Sequence, residues 1–268
     1  MVRRPSPMTP NLLHLLPKEL KRLIGDSEVI ENTIGCSNAV VLYLKGIKSY
    51  LKIAPYNQLE PLEYEAAVLN WLQNKLPVPK VHYYAKFDGR EYLLMSEIEG
   101  LDCANDAHRK DLKGMVINLA EGLKLIHSVD ISNCPFDQTL RIKLEKAKLN
   151  IDRGLVDEAE FETEYRGMTA SELYALLLER QPGGEDLVFT HGDYCLPNII
   201  LKDNAVSGFI DWGRAGVADR YQDLALAARS LRHNFGSEEL VALFFDAYGI
   251  KEVENNKVDF YILLDEFF

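Results

Sequence analysis

The 268-residue sequence lacks several features that would place it at once in a common class of protein. Its four cysteines, Cys36, Cys103, Cys134 and Cys195, are scattered, without a C-x-x-C pair or a histidine at zinc-ligand spacing. It also has no repeat of fixed period and no low-complexity stretch. These absences exclude a zinc knuckle and a solenoid architecture.

Positive charge and long apolar runs are also scarce. The chain carries 30 Lys and Arg against 41 Asp and Glu, a formal net charge of −11. A nucleic-acid-binding protein would need a basic surface, and a membrane span or signal peptide would need a longer apolar run. We therefore expect no nucleic-acid or membrane partner and a cytoplasmic protein with reduced thiols. The oligomeric state is left open by the sequence.

The first third of the chain has the pattern of a small antiparallel sheet. Between residues 29 and 54, the runs AVVLYL and SYLKIA flank the turn-like KGIKS. Residues 62–76 show helical spacing of apolar side chains and stop at the prolines of PVPK. In KVHYYAKFDGREYLLMSE, the DG dipeptide predicts a hairpin turn between two strands.

After Gly100 the pattern becomes mainly helical. Helices are predicted for VINLAEGLKLIHSV, RIKLEKAKLNI, SELYALLLER and residues 220–233, and short strands for NIILK and VSGFIDW. We therefore predict an α+β protein of two lobes, an antiparallel-sheet lobe at residues 1–97 and a mainly helical lobe at residues 98–268.

The segment HGDYCLPN matches the spacing of a kinase catalytic loop, H-x-D-x-x-x-x-N. Phosphoryl transfer needs a carboxylate to accept the proton of the attacking hydroxyl and an amide oxygen to hold a metal ion, which Asp193 and Asn198 would supply. Thirteen residues later, Asp211 ends a predicted strand in FIDWGR, a position suited to binding Mg²⁺. Each residue alone could belong to a simple turn, but their order and spacing together favour a phosphotransferase. We expect His191 to support the loop through hydrogen bonds.

A kinase also needs a lysine that positions the ATP phosphates, and Lys52 in SYLKIAP lies on a predicted strand. A carboxylate on the following helix would orient this lysine. Both Glu63 and Glu65 are available, and we favour Glu65 because it shares a helical face with the apolar Leu69 and Leu72.

Two further absences concern the substrate. No G-x-G-x-x-G precedes Lys52, where the chain reads IGCSNAVV, and no A-P-E follows Asp211. A turn such as Gly35-Cys36-Ser37 could still offer backbone N–H groups to a phosphate. Without the A-P-E element, which belongs to protein kinases, we expect a small acceptor rather than a peptide.

At this point the chain resembles the aminoglycoside 3′-phosphotransferases. The resemblance rests on HGDYCLPN, VSGFIDWGRAGVADRYQDLALAARS and the final YILLDEFF, with LPVPKV and YLLMSE in the first third. It implies a two-lobed, protein-kinase-like fold and transfer of the ATP γ-phosphate to the 3′-hydroxyl of kanamycin- or neomycin-type antibiotics, which confers resistance.

The resemblance also implies individual roles. It agrees with the roles derived above for Asp193, Asn198, Asp211, Lys52 and Glu65. For ATP it adds backbone contacts of Ser96 and Ile98 to adenine, stacking by Tyr50 and a phosphate contact of Ser37. For the drug it adds Glu162, Arg229, Asp265, Glu266 and the terminal carboxylate of Phe268.

A polycationic aminoglycoside requires carboxylates, since charge-assisted hydrogen bonds are the stronger class. An acidic segment before SELYALLLER supplies Asp157, Glu158, Glu160, Glu162 and Glu164. Such a run is commonly a solvated surface, and only the resemblance favours drug binding for it. Where relatives carry acidic residues, this chain has Ala159, His233 and Asn234, so the range of accepted drugs is left open.

Two rival functions remain at this stage. One is a kinase of the same fold that acts on choline, homoserine or a methylthio-sugar, because a fold does not determine its substrate. The other is a nucleotide-binding module without catalysis, although such a module would have no need to keep Lys52, Glu65, Asp193, Asn198 and Asp211. A hydrolase is disfavoured because the chain has no G-x-S-x-G.

Overall fold

The computed structural model of the chain describes residues 16–32, 39–56 and 60–268. These residues fall into two compact units. The first lies within Met1–Gln73 and Val78–Ile98, and the second comprises Asn74–Pro77 and Glu99–Phe268. The predicted phosphate contact Ser37 lies outside the described residues.

An antiparallel sheet forms the centre of the first unit. In spatial order its described strands are β1 (Val29–Asn32), β2 (Val40–Leu44), β3 (Ser49–Pro55), β5 (Arg90–Ser96) and β4 (Val81–Phe87). Helix α1 (Lys18–Ile24) adds Leu20 and Ile24 to a buried apolar cluster with Leu42, Leu51 and Leu94. The burial of these alternating side chains fixes the strand register, because a shift by one residue would turn them to the opposite face.

The hairpin between β4 and β5 turns at the predicted dipeptide. Asp88 and Gly89 both have left-handed backbone angles, with φ of 47° and 73°. Two successive positive φ values define the type I′ turn that DG favours. The same device joins two strands of the second unit, where Asp203 and Asn204 have φ of 51° and 58°.

Helix α2 (Leu62–Leu72) ends four residues earlier than the predicted boundary at residue 76. The backbone leaves the helical region at Gln73, with ψ of 133°, and Asn74 has a positive φ of 66°. The Gln73 side-chain amide donates to the carbonyl of Leu69 at 3.1 Å and so satisfies an acceptor that the shortened helix leaves open.

A buried glutamate of the sheet caps the start of α2. Pro61, the residue before the helix, provides no side-chain cap. Glu91 of β5, only 2% exposed, instead accepts hydrogen bonds from the backbone N–H groups of Leu62 and Glu63, both at 3.2 Å. Its carboxylate also accepts from the hydroxyl of Tyr84 at 2.7 Å. A carboxylate at a helix N-terminus is favoured by the helix dipole, so Glu91 fixes α2 against the sheet.

The second unit is mainly helical. Its described helices are α3 (Leu112–His127), α4 (Leu140–Asp152), α5 (Ala170–Glu179), α6 (Tyr221–Phe235), α7 (Glu238–Tyr248) and α8 (Asn255–Asp265). All helices predicted after Gly100 are therefore present. Two small antiparallel sheets accompany them, β7 (Leu187–Thr190) with β10 (Gly216–Asp219), and β6 (Leu101–Asp102) with β8 (Ile199–Lys202) and β9 (Ala205–Phe209).

The prediction of a two-lobed α+β fold, with an antiparallel-sheet first lobe and a mainly helical second lobe, is confirmed. No helix in the described part of the chain is both long and apolar enough to cross a bilayer. Helix α6 lies at the centre of the second unit, and ten of its fifteen residues are buried.

We predict that Glu91→Gln destabilises the fold by about 1–3 kcal/mol, the cost typical of a lost buried hydrogen bond to a charged group. One carboxylate oxygen becomes an amide NH₂ that would face a backbone N–H donor. Denaturant unfolding measures this change. Glu63→Gln is the matched control, since the exposed Glu63 lies at the same helix end and pairs with Lys86 at the surface. Equal stability of the two variants would contradict the capping role.

Candidate active site

In the first unit, Lys52 and Glu65 form the predicted ion pair. Lys52 on β3 is 9% exposed, and its Nζ lies 2.8 Å and 2.9 Å from the two carboxylate oxygens of Glu65 on α2. The rival carboxylate, Glu63, contacts Lys86 instead. The preference for Glu65 from helical periodicity is confirmed as a contact, and it fixes the direction of the lysine ammonium group.

The other residues predicted to contact the nucleotide base lie near the end of the sheet. Tyr50 on β3 is half-buried, and its ring centroid lies 5.0 Å from that of Tyr43. Ser96 ends β5, and its N–H donates to the carbonyl of Lys80 at 2.9 Å. The backbone of Ile98 makes no hydrogen bond to any described residue, so its polar groups are available to a ligand.

In the second unit, a buried carboxylate shapes the loop that follows β7. Asp223 of α6 accepts hydrogen bonds from the backbone N–H of His191 at 2.7 Å and of Gly192 at 2.8 Å. It also contacts Nε2 of His127 on α3 at 3.1 Å, while Nδ1 of that ring lies 2.7 Å from the hydroxyl of Tyr248. Since Asp223 can only accept, His127 donates from Nε2. Helices α6, α3 and α7 therefore hold the start of the loop through Asp223, His127 and Tyr248.

Gly192 is required where the loop turns. Its φ of +85° is unfavourable for any residue with a Cβ atom, and a Cβ placed there would lie 2.1 Å from the carbonyl oxygen of Arg214. This close approach brings the loop against the segment that follows Asp211. The glycine of HGD is thus explained by contact with backbone rather than by flexibility.

His191 supports the loop, as predicted. The ring is fully buried, lies 2.9 Å from the carbonyl of Ile210 through Nε2, and packs on Trp212 with centroids 4.5 Å apart. Its Nδ1 accepts the N–H of Asp193 at 3.3 Å. With these partners, Nδ1 is the acceptor and Nε2 the donor, and the ring acts as a spacer between the two halves of the motif.

Asp193 and Asn198 contact each other directly. The amide Nδ2 of Asn198 donates to Oδ2 of Asp193 at 2.9 Å and to the Asp193 carbonyl at 3.0 Å. Asp193 is half-buried. Burial raises the pKa of Asp193, with Asp265 and Asp211 acting in the same direction and Arg214 opposing them. A carboxylate with a raised pKa is a stronger base for a hydroxyl proton.

The chemistry of Asn198 and Asp211 fits a magnesium ion. The side-chain hydrogen bonds of Asn198 are all made by its amide nitrogen, so its side-chain oxygen is the group to offer to a hard cation. Asp211 holds a left-handed backbone conformation, with φ of 65°, a strain of the kind found at functional sites. Within the described residues, no three His, Cys, Asp or Glu side chains form a metal cluster. Mg²⁺ would therefore need further oxygen ligands from phosphate and water.

The C-terminal residues predicted to bind the drug form a charged cluster. The Asp265 carboxylate binds Nη1 of Arg214 at 2.9 Å and also pairs with Nη2 of Arg229. Burial alone would raise the pKa of Asp265, but these two guanidinium groups hold it below its usual value. Burial raises the pKa of Glu266 to about 7, and this side chain accepts the N–H of Glu162 at 3.2 Å. Arg229 and Asp265 were predicted as separate drug contacts, and the structure pairs them with each other.

The acidic segment at residues 157–164 is divided in role. Asp157 accepts the N–H of Ala159 at 3.0 Å, and Glu158 accepts the N–H of Ala170 at 2.7 Å at the start of α5. These two carboxylates have local structural partners. Glu162 contacts the C-terminal cluster through its backbone, whose N–H donates to the carboxylate of Glu266.

Sequence reasoning missed Asp223 and Arg214. Both occur in the run VSGFIDWGRAGVADRYQDLALAARS, but no spacing rule marks them. Asp223 contacts the loop across 31 residues and Arg214 contacts Asp265 across 51 residues. Only the fold brings these partners together. The one signal for Asp223 in the sequence was its acidic side chain at a position of the helix expected to be buried.

Comparison with known proteins gives consistent matches. A model of the phosphotransferase enzyme family matches residues 28–257. Aminoglycoside 3′-phosphotransferases of Niallia circulans and Enterococcus faecalis are 48% and 41% identical, over 94% and 93% of this chain and 97% of each relative. A crystal structure of aminoglycoside-3′-phosphotransferase of type VIII has a TM-score of 0.87 at 30% identity, covering 98% of this chain and all of that one.

A second solved structure was determined with ligands. It is the Streptomyces rimosus aminoglycoside phosphotransferase APH(3″)-Id in complex with ADP and streptomycin, with a TM-score of 0.80 at 28% identity. The superposition covers 98% of this chain and 99% of that one.

We predict that Asp223→Asn reduces turnover about 10- to 100-fold, because a buried hydrogen bond to a charged group contributes about 1.5–3 kcal/mol. The amide can accept only one of the two loop N–H groups and turns its NH₂ toward the other. Steady-state phosphotransfer assays measure the change. Asp246→Asn, an exposed position on α7, is the matched control. Wild-type turnover in a folded Asp223→Asn protein would show that the loop does not depend on this carboxylate.

Proposed function

Because this chain belongs to the phosphotransferase enzyme family, we propose that it uses ATP to phosphorylate the 3′-hydroxyl of aminoglycoside antibiotics and so confers resistance. The observation that carries this proposal is the contact of Asp193 with Asn198, in a loop fixed by Asp223. The sequence similarity to 3′-phosphotransferases over nearly the whole length supplies the substrate class.

The first lobe, residues 1–97, would bind the nucleotide. Lys52, oriented by Glu65, would neutralise charge on the α- and β-phosphates, and Ser37 would contact phosphate. The ring of Tyr50 would stack on adenine, while the backbone groups of Ser96 and Ile98 would bond its edge. The unbonded backbone of Ile98 and the short Lys52–Glu65 distances support these roles.

The second lobe, residues 98–268, would carry out transfer and bind the drug. Asn198 and Asp211 would hold Mg²⁺, which would supply positive charge to offset the negative charge of the phosphates. Asp193 would accept the hydrogen bond of the 3′-hydroxyl and orient its oxygen for in-line attack on the γ-phosphorus. The hydroxyl proton would pass to a carboxylate oxygen of Asp193, and ADP would leave. Positioning and electrostatics supply most of the rate enhancement in such reactions.

The drug would bind at the C-terminal cluster. Glu266 and the terminal carboxylate of Phe268 would accept hydrogen bonds from drug ammonium groups, with Glu162 beside them. With a pKa of about 7, Glu266 would be half-protonated at neutral pH, and an incoming ammonium would favour its charged form. Asp265 and Arg229 would contribute mainly by ordering the end of the chain, since they pair with each other.

Two further aspects belong to this proposal. The reaction consumes ATP, so we place the protein in the cytoplasm. Among the described residues, the cysteines Cys103, Cys134 and Cys195 are free thiols, which is consistent with a reducing compartment. The preference for ATP over GTP and the range of drugs would then depend on the residues around Ile98 and on Ala159, His233 and Asn234.

A substrate panel tests the proposed function against a kinase for another small alcohol. We expect ADP release with kanamycin and neomycin and only background release with choline and homoserine. A 3′-deoxy analogue of kanamycin is the matched control, because it keeps the ammonium groups and lacks only the acceptor. Turnover of choline or homoserine without turnover of any aminoglycoside would refute the substrate assignment, and turnover of the deoxy analogue would refute the assigned hydroxyl.

A further inference from the structure

Lys143 on α4 is a buried cation that the proposed reaction does not use. Its residue is only 4% exposed, although lysine is rarely buried without a charged partner. The side-chain ammonium of Lys143 makes no hydrogen bond and no ion pair with any residue in the described part of the chain. Burying an ammonium group in this way is costly, so a compensating interaction is expected.

The ring of Phe268 faces this ammonium group. The Nζ of Lys143 lies 5.4 Å from the ring centroid, within the range of a cation–π interaction. The guanidinium carbon of Arg214 lies 5.8 Å from the same centroid, and Arg214 is held in place by Asp265. Two cations are thus directed at the aromatic ring of Phe268.

The same helix holds the preceding residue as well. Two turns after Lys143, the amide of Asn150 donates to the carbonyl of Phe267 at 2.8 Å. The ring of Tyr174 on α5 meets the ring of Phe267 edge to face, with centroids 5.9 Å apart. Asn150 and Tyr174 therefore fix Phe267, while Lys143 and Arg214 contact Phe268.

The charge of Lys143 persists at neutral pH. Burial lowers its pKa to about 8, and Arg214 and Lys146 act in the same direction. Asp265 and Asp223 oppose this shift. Since the resulting pKa still lies above 7, the ammonium form dominates and can attract the ring face.

We propose that Lys143 is a positioning residue that holds Phe268 in place, so that the terminal carboxylate can bind an ammonium group of the aminoglycoside. The second half of this statement rests on the proposed function, while the first concerns the chain alone. The alternative is that Lys143 only fills space in the second unit. In that case a neutral side chain of similar length would serve as well or better, because replacing a buried charge by an apolar group is often neutral or stabilising.

Lys143→Met separates these alternatives without reference to activity. Carboxypeptidase A removes an aromatic C-terminal residue only when the end of the chain is released from the fold. Loss of a desolvated cation–π contact of about 2 kcal/mol should increase the rate of phenylalanine release more than tenfold. Lys148→Met, which removes an exposed lysine from the same helix, is the matched control and should leave the rate unchanged. Lys143→Arg, which keeps a cation at this position, should release phenylalanine as slowly as the wild-type chain.

Kinetics then test the link to the drug. We expect Lys143→Met to raise the aminoglycoside KM about tenfold with little change in the KM for ATP, and deletion of Phe268 to do the same. Combined, the two changes should raise KM no more than either alone, because both act through one residue. Unchanged phenylalanine release in Lys143→Met would overturn the proposal. Suppose that Lys143→Met releases phenylalanine faster but leaves the aminoglycoside KM unchanged, or that its effect on KM multiplies with that of deleting Phe268. The link to drug binding would then be overturned.

The two failures remain distinguishable. If the wild-type chain turned over no aminoglycoside, the proposed function would be refuted. The phenylalanine-release experiment would still decide whether Lys143 holds the C-terminal residue.

Discussion

The buried carboxylate of Asp223 is the constraint on which the second unit depends. By accepting the N–H groups of His191 and Gly192, it fixes the backbone immediately before Asp193. Its contact with His127 joins α3 and α6 at the same point. A carboxylate in this setting cannot move without leaving donors unsatisfied, a penalty of about 1–3 kcal/mol for each. The loop is therefore ordered before any ligand binds.

A comparable arrangement organises the first unit. Glu91 caps α2 from strand β5, and α2 carries Glu65, which in turn orients Lys52 on β3. In each unit a buried acidic residue sets the position of other residues. We propose that these other residues, and not the buried acid itself, contact the substrate. This division of labour is expected, since preorganised groups avoid reorganisation during the reaction.

Local patterns in the sequence predicted most of the fold and the contact of Lys52 with Glu65. The DG turn, the helices after Gly100, and the Lys52–Glu65 pair follow from periodicity and from short spacings. The end of α2 was misplaced because the backbone leaves the helical region at Gln73, before the first proline is reached. Asp223, Arg214 and Lys143 could not be assigned because their partners lie far away in the sequence, as for Lys143 and the ring of Phe268. Likewise, the acidic run at 157–164 did not reveal that Asp157 and Glu158 have local partners.

The central claim is that Asp193, held by this loop, orients the acceptor hydroxyl for phosphoryl transfer. Asp193→Asn tests it most directly, because the substitution preserves size and removes the basic oxygen. Turnover with kanamycin should fall by a factor of roughly 10²–10⁴, the usual contribution of a positioned general base. Binding of an ATP analogue, measured by calorimetry, should remain within a few-fold of wild type. A folded variant that retains wild-type turnover would contradict the account.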